Sequence, residues 1–192
     1  MQAVSVAILA LAVRLLVPVP AGLAAQRVEG RVTRVVDGDT VWCEDAHGTK
    51  LRIRLVGIDA PEVGHLRNGG GSTPGQPYGE EARRALTARV LREAVTLEVY
   101  GRDRYHRILG VVYLGPTNVN LWLVESGLAW AYKGGRNDAP ATVRERIEAA
   151  EHEARRARRG LWADGNPDPM LVAKVCAEAV LPQLKGSPVA RA

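Results

Sequence analysis

Phenylalanine is absent from this 192-residue chain, and aromatic residues make up only 5% of it. Val, Leu and Ala must therefore supply most of any core. Cysteine is nearly absent as well: Cys43 and Cys176 lie far apart, with no C-x-x-C. His47, His65, His106 and His152 are scattered. No Cys/His cluster has the spacing of a structural zinc site. One disulfide is compatible with export, but spacing alone does not pair two thiols. The apolar fraction of 46% and charged fraction of 24% match the globular average and exclude a disordered, collagenous or coiled-coil chain. The 26 Lys and Arg outnumber the 21 Asp and Glu, for a net charge of +5. That excess suits a polyanionic partner and equally suits plain solubility. The length admits one or two domains.

Residues 1–26 are a different material from the rest. Val4 to Val13 is apolar, Arg14 interrupts the run, and Leu15 to Ala25 continues it with Pro18 and Pro20. The small residues before Gln26 suit signal peptidase, so this segment is expected to be a secretory signal peptide cut near Ala24 or Ala25. The expected location is secreted or periplasmic. The alternative is an uncleaved membrane anchor, although Arg14 and the prolines leave less than the ~20 apolar residues of a spanning helix. No stable membrane partner is expected once the signal is cut. The remaining chain divides into a domain at 27–163 and an extension at 164–192, where Leu171 to Leu184 is expected to form one helix.

From Val28 the pattern gives strands first and helices later. Strands are predicted at Val28–Val36, Thr40–Glu44, Val95–Tyr100 and Ile108–Leu114. Asp37-Gly38 and Asp45–Thr49 mark turns between strands. Leu51, Ile53 and Leu55 alternate with Arg52 and Arg54, so the aliphatic set faces a core and the arginines face away. Val63 to Pro77, rich in Gly and Pro, is predicted to be a long mobile loop. Helices are predicted at Gly79–Ala94, Asn118–Ser126 and Ala141–Arg159. In the first, Ala82, Leu86 and Val90 share a face; in the last, Val143, Ile147, Ala150, Ala154 and Ala157 do, with the opposite face charged and solvated. Five strands with short helices indicate an α+β domain on a small OB-like barrel, a fold that often binds oligonucleotides.

Two segments carry the chemistry. Asp37-Gly38-Asp39-Thr40 and Ile58-Asp59-Ala60-Pro61-Glu62 each place carboxylates beside a stiffly directed backbone. Asp39, Asp59 and a backbone carbonyl offer oxygen ligands to a hard divalent cation. Glu62 stands at the mouth of the loop, within reach of water. Arg54 and Arg107 add guanidinium forks that bind phosphate bidentately. A cation, a carboxylate base and two arginines suit attack of water on a phosphodiester. Each residue taken singly has a plainer explanation as a turn or a surface charge.

The runs Val35-Val36-Asp37-Gly38-Asp39-Thr40-Val41, Arg52 to Glu62 and Tyr78-Gly79-Glu80-Glu81-Ala82 resemble the staphylococcal nuclease family. Asp103-Arg104-Tyr105-His106-Arg107, Val119-Asn120, Gly127-Leu128-Ala129-Trp130 and Gly160-Leu161-Trp162 follow in the family's order, so the resemblance spans Val28 to Trp162. It implies an OB-type five-stranded barrel with three helices. It also implies a Ca²⁺-dependent phosphodiesterase that cuts DNA and RNA, single strands favoured, to 3′-phosphate ends as a monomer. By the same resemblance Asp39, Asp59 and the Ala60 carbonyl hold calcium, and Glu62 is the general base. Arg54 and Arg107 bind phosphate, Arg104 and Tyr105 contact a terminal phosphate, and Tyr132 flanks the base. His106 replaces the family's Gly, where a positive φ is expected to strain a side chain. An alternative is an OB-fold nucleic-acid-binding module without catalysis, which would be expected to lack Glu62 or one of the arginines.

Overall fold

The alternation seen in the sequence becomes a barrel. The computed structural model describes residues 26–66, 72–134 and 139–163. The expected signal peptide up to Ala25, Cys176 and the helix expected at 171–184 lie outside the described residues. Strands β1 (Gln26–Val35), β2 (Thr40–Asp45) and β3 (Lys50–Leu55) form an antiparallel meander. After helix α1 (Gly79–Val90), strand β4 (Ala94–Arg102) pairs antiparallel with β1. Strand β5 (Ile108–Leu114) then pairs antiparallel with β4. Parallel pairing of β3 with β5 closes the ring, with Ile53 opposite Ile108 and Leu55 opposite Gly110. The expected five-stranded barrel with three helices is what forms.

Ile53, Leu55, Val41, Leu97 and Val112 point inward and are sealed from water. Each such side chain contributes roughly 1.5–3 kcal/mol by burial. Arg52 on the other face is exposed, as period two requires. Helix α1 covers one end of the barrel with Ala82, Leu86 and Val90, the predicted face. It stops at Val90, short of the expected Ala94. Leu91 turns extended and Arg92 takes φ 69°, and Arg92 N–H donates to the Val32 carbonyl at 2.8 Å. Pairing with β1 thus outcompetes another helical turn.

Helix α2 (Val119–Glu125) is capped by the Asn118 side chain, which accepts from Leu121 N–H at 2.9 Å. Buried Asn120 ties α2 to the barrel seam: its amide donates to the carbonyls of Val56 and Gly110 and accepts from Val112 N–H. Helix α3 (Ala141–Arg156) ends before the expected Arg159, where Arg158 and Gly160 adopt positive φ. Its charged face is not wholly solvated. Glu151 is 2% exposed, accepts from Ala131 N–H at 3.0 Å and pairs with Lys133 at 3.1 Å.

Gly127 and Gly160 face each other backbone to backbone, and Leu161 N–H donates to the Gly127 carbonyl at 2.8 Å. A Cβ on Gly127 would stand 2.1 Å from the Arg159 carbonyl oxygen. This contact locks the segment after α2 against the segment after α3, beside a cluster of Trp130, Ala154, Leu161 and Trp162.

Candidate active site

The Asp37–Asp39 turn is shaped by a side chain. Asp37 Oδ1 accepts from Asp39 N–H at 3.0 Å, and Val36 N–H donates to the Thr40 carbonyl at 2.9 Å. Gly38 is needed here for its size: a Cβ would lie 2.6 Å from the Ala60 Cβ and 2.9 Å from the Ala82 Cβ. The turn, the Asp59–Glu62 segment and α1 therefore meet at one point.

Arg54 leaves the outer face of β3 and runs between two carboxylates. Its Nη1 lies 2.7 Å from Asp39 Oδ2, and its Nη2 lies 2.7 Å from Asp59 Oδ1. Nη1 also donates to the Ile58 carbonyl at 3.1 Å and the Leu55 carbonyl at 3.3 Å. Asp39 takes two further bonds, from Ala60 N–H at 3.0 Å and from the Thr40 hydroxyl at 3.0 Å.

One guanidinium faces an excess of acid. Burial pushes the Asp39 carboxyl up to about 7, Arg54 opposes that rise, and the Asp37 charge adds to it. Asp59 is raised by burial against the pull of Arg54, again with Asp37 adding to the rise. Glu62 is exposed at its surface, yet its carboxyl is raised by partial burial and by Asp37 and Asp59. Asp37, read from the sequence as a turn residue, is thus the common neighbour of all three acids. Its acidity beside Asp39 was the available signal.

Glu62 is held by its backbone. Its N–H donates to Gln76 Oε1 at 2.8 Å, and its carbonyl accepts from Gln76 N–H at 2.8 Å. A Cβ on Gly79 would sit 2.3 Å from that carbonyl oxygen, so only glycine lets α1 begin there. The region expected to be one long loop contains a two-rung ladder, His65–Leu66 against Ser72–Thr73. Together with the Gln76 clasp, it fixes the base of the segment.

Arg107 comes from a tight turn organised by Asp103, whose carboxylate accepts from the N–H groups of Tyr105 and Arg107 and from Arg107 Nε at 2.7 Å. His106 sits at φ 61°, the left-handed region expected for the family's Gly. Tyr105 is 61% exposed, with the Arg104 and Arg107 guanidinium carbons 4.9 and 5.5 Å from its ring centre.

The parallel seam brings the two arginines together. Arg54 pairs with Leu109 in register, and Arg107 lies two residues earlier on the same face. Both line a cleft of about 520 Å³, with Arg104, Tyr105 and Tyr132 also on its wall. Asp39, Asp59 and Glu62 are not wall residues; the two aspartates connect to the cleft through Arg54. Ala60 contributes its N–H to Asp39.

Residues 52–164 match a family model described as staphylococcal nuclease homologue. The chain belongs to the staphylococcal nuclease family. An uncharacterized endonuclease of Escherichia coli is 39% identical over 143 residues, covering 74% of this chain and 82% of that protein. A micrococcal nuclease of Shigella flexneri is 38% identical over 166 residues, covering 82% of this chain and 84% of its own. An uncharacterized endonuclease of Haemophilus influenzae is 36% identical over 137 residues, 71% of this chain and 67% of that protein. Family membership and barrel agree with each other, and Arg54 and Arg107 both lie within the matched residues 52–164.

The family implies a calcium ion; Asp39 and Asp59 are the oxygen donors on offer, and among the described residues no group of three or more His, Cys, Asp or Glu side chains gathers to hold a metal. The acids around Arg54 are oxygen donors, they exceed the positive charge beside them, and their carboxyls are raised. A hard divalent cation would supply the missing charge.

Proposed function

We propose that this chain is a Ca²⁺-dependent nuclease that hydrolyses phosphodiester bonds of DNA and RNA, single strands favoured, and leaves 3′-phosphate ends. The observation that carries this reading is the shared cleft of Arg54 and Arg107, with the Arg54 fork bonded to Asp39 and Asp59. Asp39, Asp59 and the Ala60 carbonyl would hold the cation, which when bound adds positive charge beside the phosphoryl oxygens.

The chain's own residues divide the remaining tasks. Arg54 and Arg107 clamp the phosphate and stabilise charge as it builds on its oxygens. A carboxylate oxygen of Glu62 takes a proton from the attacking water. A new phosphorus–oxygen bond forms, the bond to the 5′ oxygen breaks, and that oxygen leaves with a proton. Burial and neighbouring acids raise Glu62, which favours proton uptake. Arg104 and Tyr105 receive a terminal phosphate, and Tyr132 lies beside the base. Presence of both acids, Glu62 and both arginines favours a working hydrolase over a binding module.

Purified, processed protein is incubated with single-stranded DNA in Ca²⁺ or in chelator, beside Glu62→Gln. Cleavage that needs Ca²⁺, yields phosphatase-sensitive 3′ ends, and falls about 10²–10⁴-fold in Glu62→Gln with calcium binding retained supports the assignment. Cleavage in chelator, or full activity of Glu62→Gln, refutes it. Residues 1–26 are proposed to direct export, with release near Ala24 or Ala25; N-terminal sequencing of protein recovered outside the cytoplasm tests this.

A further inference from the structure

The outer face of β3 carries more than Arg54. Period two puts Lys50, Arg52 and Arg54 on one side of the strand, about 7 Å apart from one to the next. Lys50 and Arg52 are exposed. Trp42 on β2 is the register partner of Arg52, and Arg34 on β1 is the register partner of Trp42. Direct partners in an antiparallel pair point to the same face, so Arg34, Trp42 and Arg52 form one rung across three strands, at about 4.8 Å per strand. Trp42 is half-buried and Arg34 is exposed. Among the described residues, Arg34, Arg52 and Lys50 have no ion-pair partner. The next rung holds Arg31, Glu44 and Lys50, where Glu44 offsets part of the charge.

Core packing does not account for two unpaired arginines flanking a tryptophan on the outside of a barrel. Nucleic-acid chemistry does: guanidinium groups contact phosphates, and an aromatic face accepts an unpaired base. We infer that the Arg34–Trp42–Arg52 rung, joined to the cleft by the Lys50–Arg52–Arg54 face of β3, is a docking track for the part of a single-stranded polynucleotide that extends beyond the cleft. The spacing along β3 is of the order of the repeat of an extended polynucleotide backbone. This inference rests on the nuclease reading for its substrate but has a separate readout. The track serves affinity for long strands and leaves chemistry at the cleft alone.

The test compares the full chain with Trp42→Leu and with the double variant Arg34→Gln/Arg52→Gln, which removes only exposed charge. Oligothymidylate binding is measured in chelator, and cleavage of a thymidine dinucleotide and of a long oligothymidylate is measured with Ca²⁺. Affinity for the long strand is expected to fall about tenfold in Trp42→Leu. The slope of log affinity against log salt is expected to shrink by about 1.4 in the double variant, about 0.7 for each lost phosphate contact. Dinucleotide turnover is expected to stay within about twofold, since neither variant touches the cleft. Unchanged long-strand affinity and slope in both variants overturn the track. Equal losses on the dinucleotide, or on duplex DNA with no unpaired base to stack, also overturn it. If the parent chain cuts neither substrate, the hydrolase reading fails, and the binding arm alone still decides the track.

Discussion

Arg54 and Asp39 form a 2.7 Å ion pair that is nearly closed to solvent, with side chains 14% and 10% exposed. The same guanidinium reaches Asp59 through its second nitrogen. The strand that supplies Arg54 also forms the seam that brings in Arg107. Shape matters here as much as charge.

Arg54→Lys keeps the charge but loses the fork. A lysine cannot bridge Asp39 and Asp59 while also donating to the Leu55 and Ile58 carbonyls. Turnover on single-stranded DNA is expected to fall about 10²-fold or more, with the circular-dichroism spectrum unchanged. Near-normal turnover would remove phosphate clamping from Arg54.

His106 occupies a left-handed conformation that costs a side chain roughly 1–2 kcal/mol. His106→Gly is therefore expected to hold or raise the melting temperature and to preserve activity. His106→Val, with a β-branch, is expected to lower stability and to misdirect Arg107. Thermal melts and initial rates together check both, and a stable, fully active Val variant would contradict this account.

Gly127→Ala forces a methyl into the Arg159 carbonyl, so the packing of α2 against α3 must shift. A loss of several kcal/mol is expected in urea melts, well above the ~1 kcal/mol centre for point changes. A loss under about 1 kcal/mol would mean that the two segments separate easily.

Cys43 is 0% exposed, and burial pushes its thiol up to about 12. Since the thiolate is the reactive form, native protein at pH 8 is expected to resist a thiol reagent at Cys43 and to react on unfolding. A Cys176→Ser background isolates the signal. Rapid native labelling would place the thiol at the surface.

Glu98 accepts from Arg27 at 2.6 Å, Tyr100 at 2.9 Å and Tyr113 at 3.3 Å, and these donors hold its carboxyl below the usual range. A lowered carboxyl adds stability above the unfolded value of about 4.3, and loses it as pH falls through the folded value. Glu98→Gln is therefore expected to lower the melting temperature at neutral pH and to converge with the parent in acid. Melts across that range test it, and a constant gap would argue against linkage.

Much of the barrel was legible because period two is a strong signal: Ile53 and Leu55 went inside and Arg52 outside, as alternation demands. Helix ends were less so. Val90 ends α1 because the next residues pair with β1, and no local residue announces a partner so distant in the chain. The turn at Asp37-Gly38 was legible, whereas the demand for a small residue at Gly38 was not, because it comes from the spatial neighbours Ala60 and Ala82. Glu151 was hidden by its charge, although it lies on the Ile147–Ala154 stripe of α3. The seating of Arg54 between two acids needed coordinates, since two separate segments supply those acids.

Among the described residues, one parallel pairing closes the barrel, and it joins β3 to β5, strands widely separated in the chain. Arg54 and Arg107 approach each other across this seam. The meeting of the two guanidinium groups thus hangs on one pair of strands, and whatever parts those strands parts them.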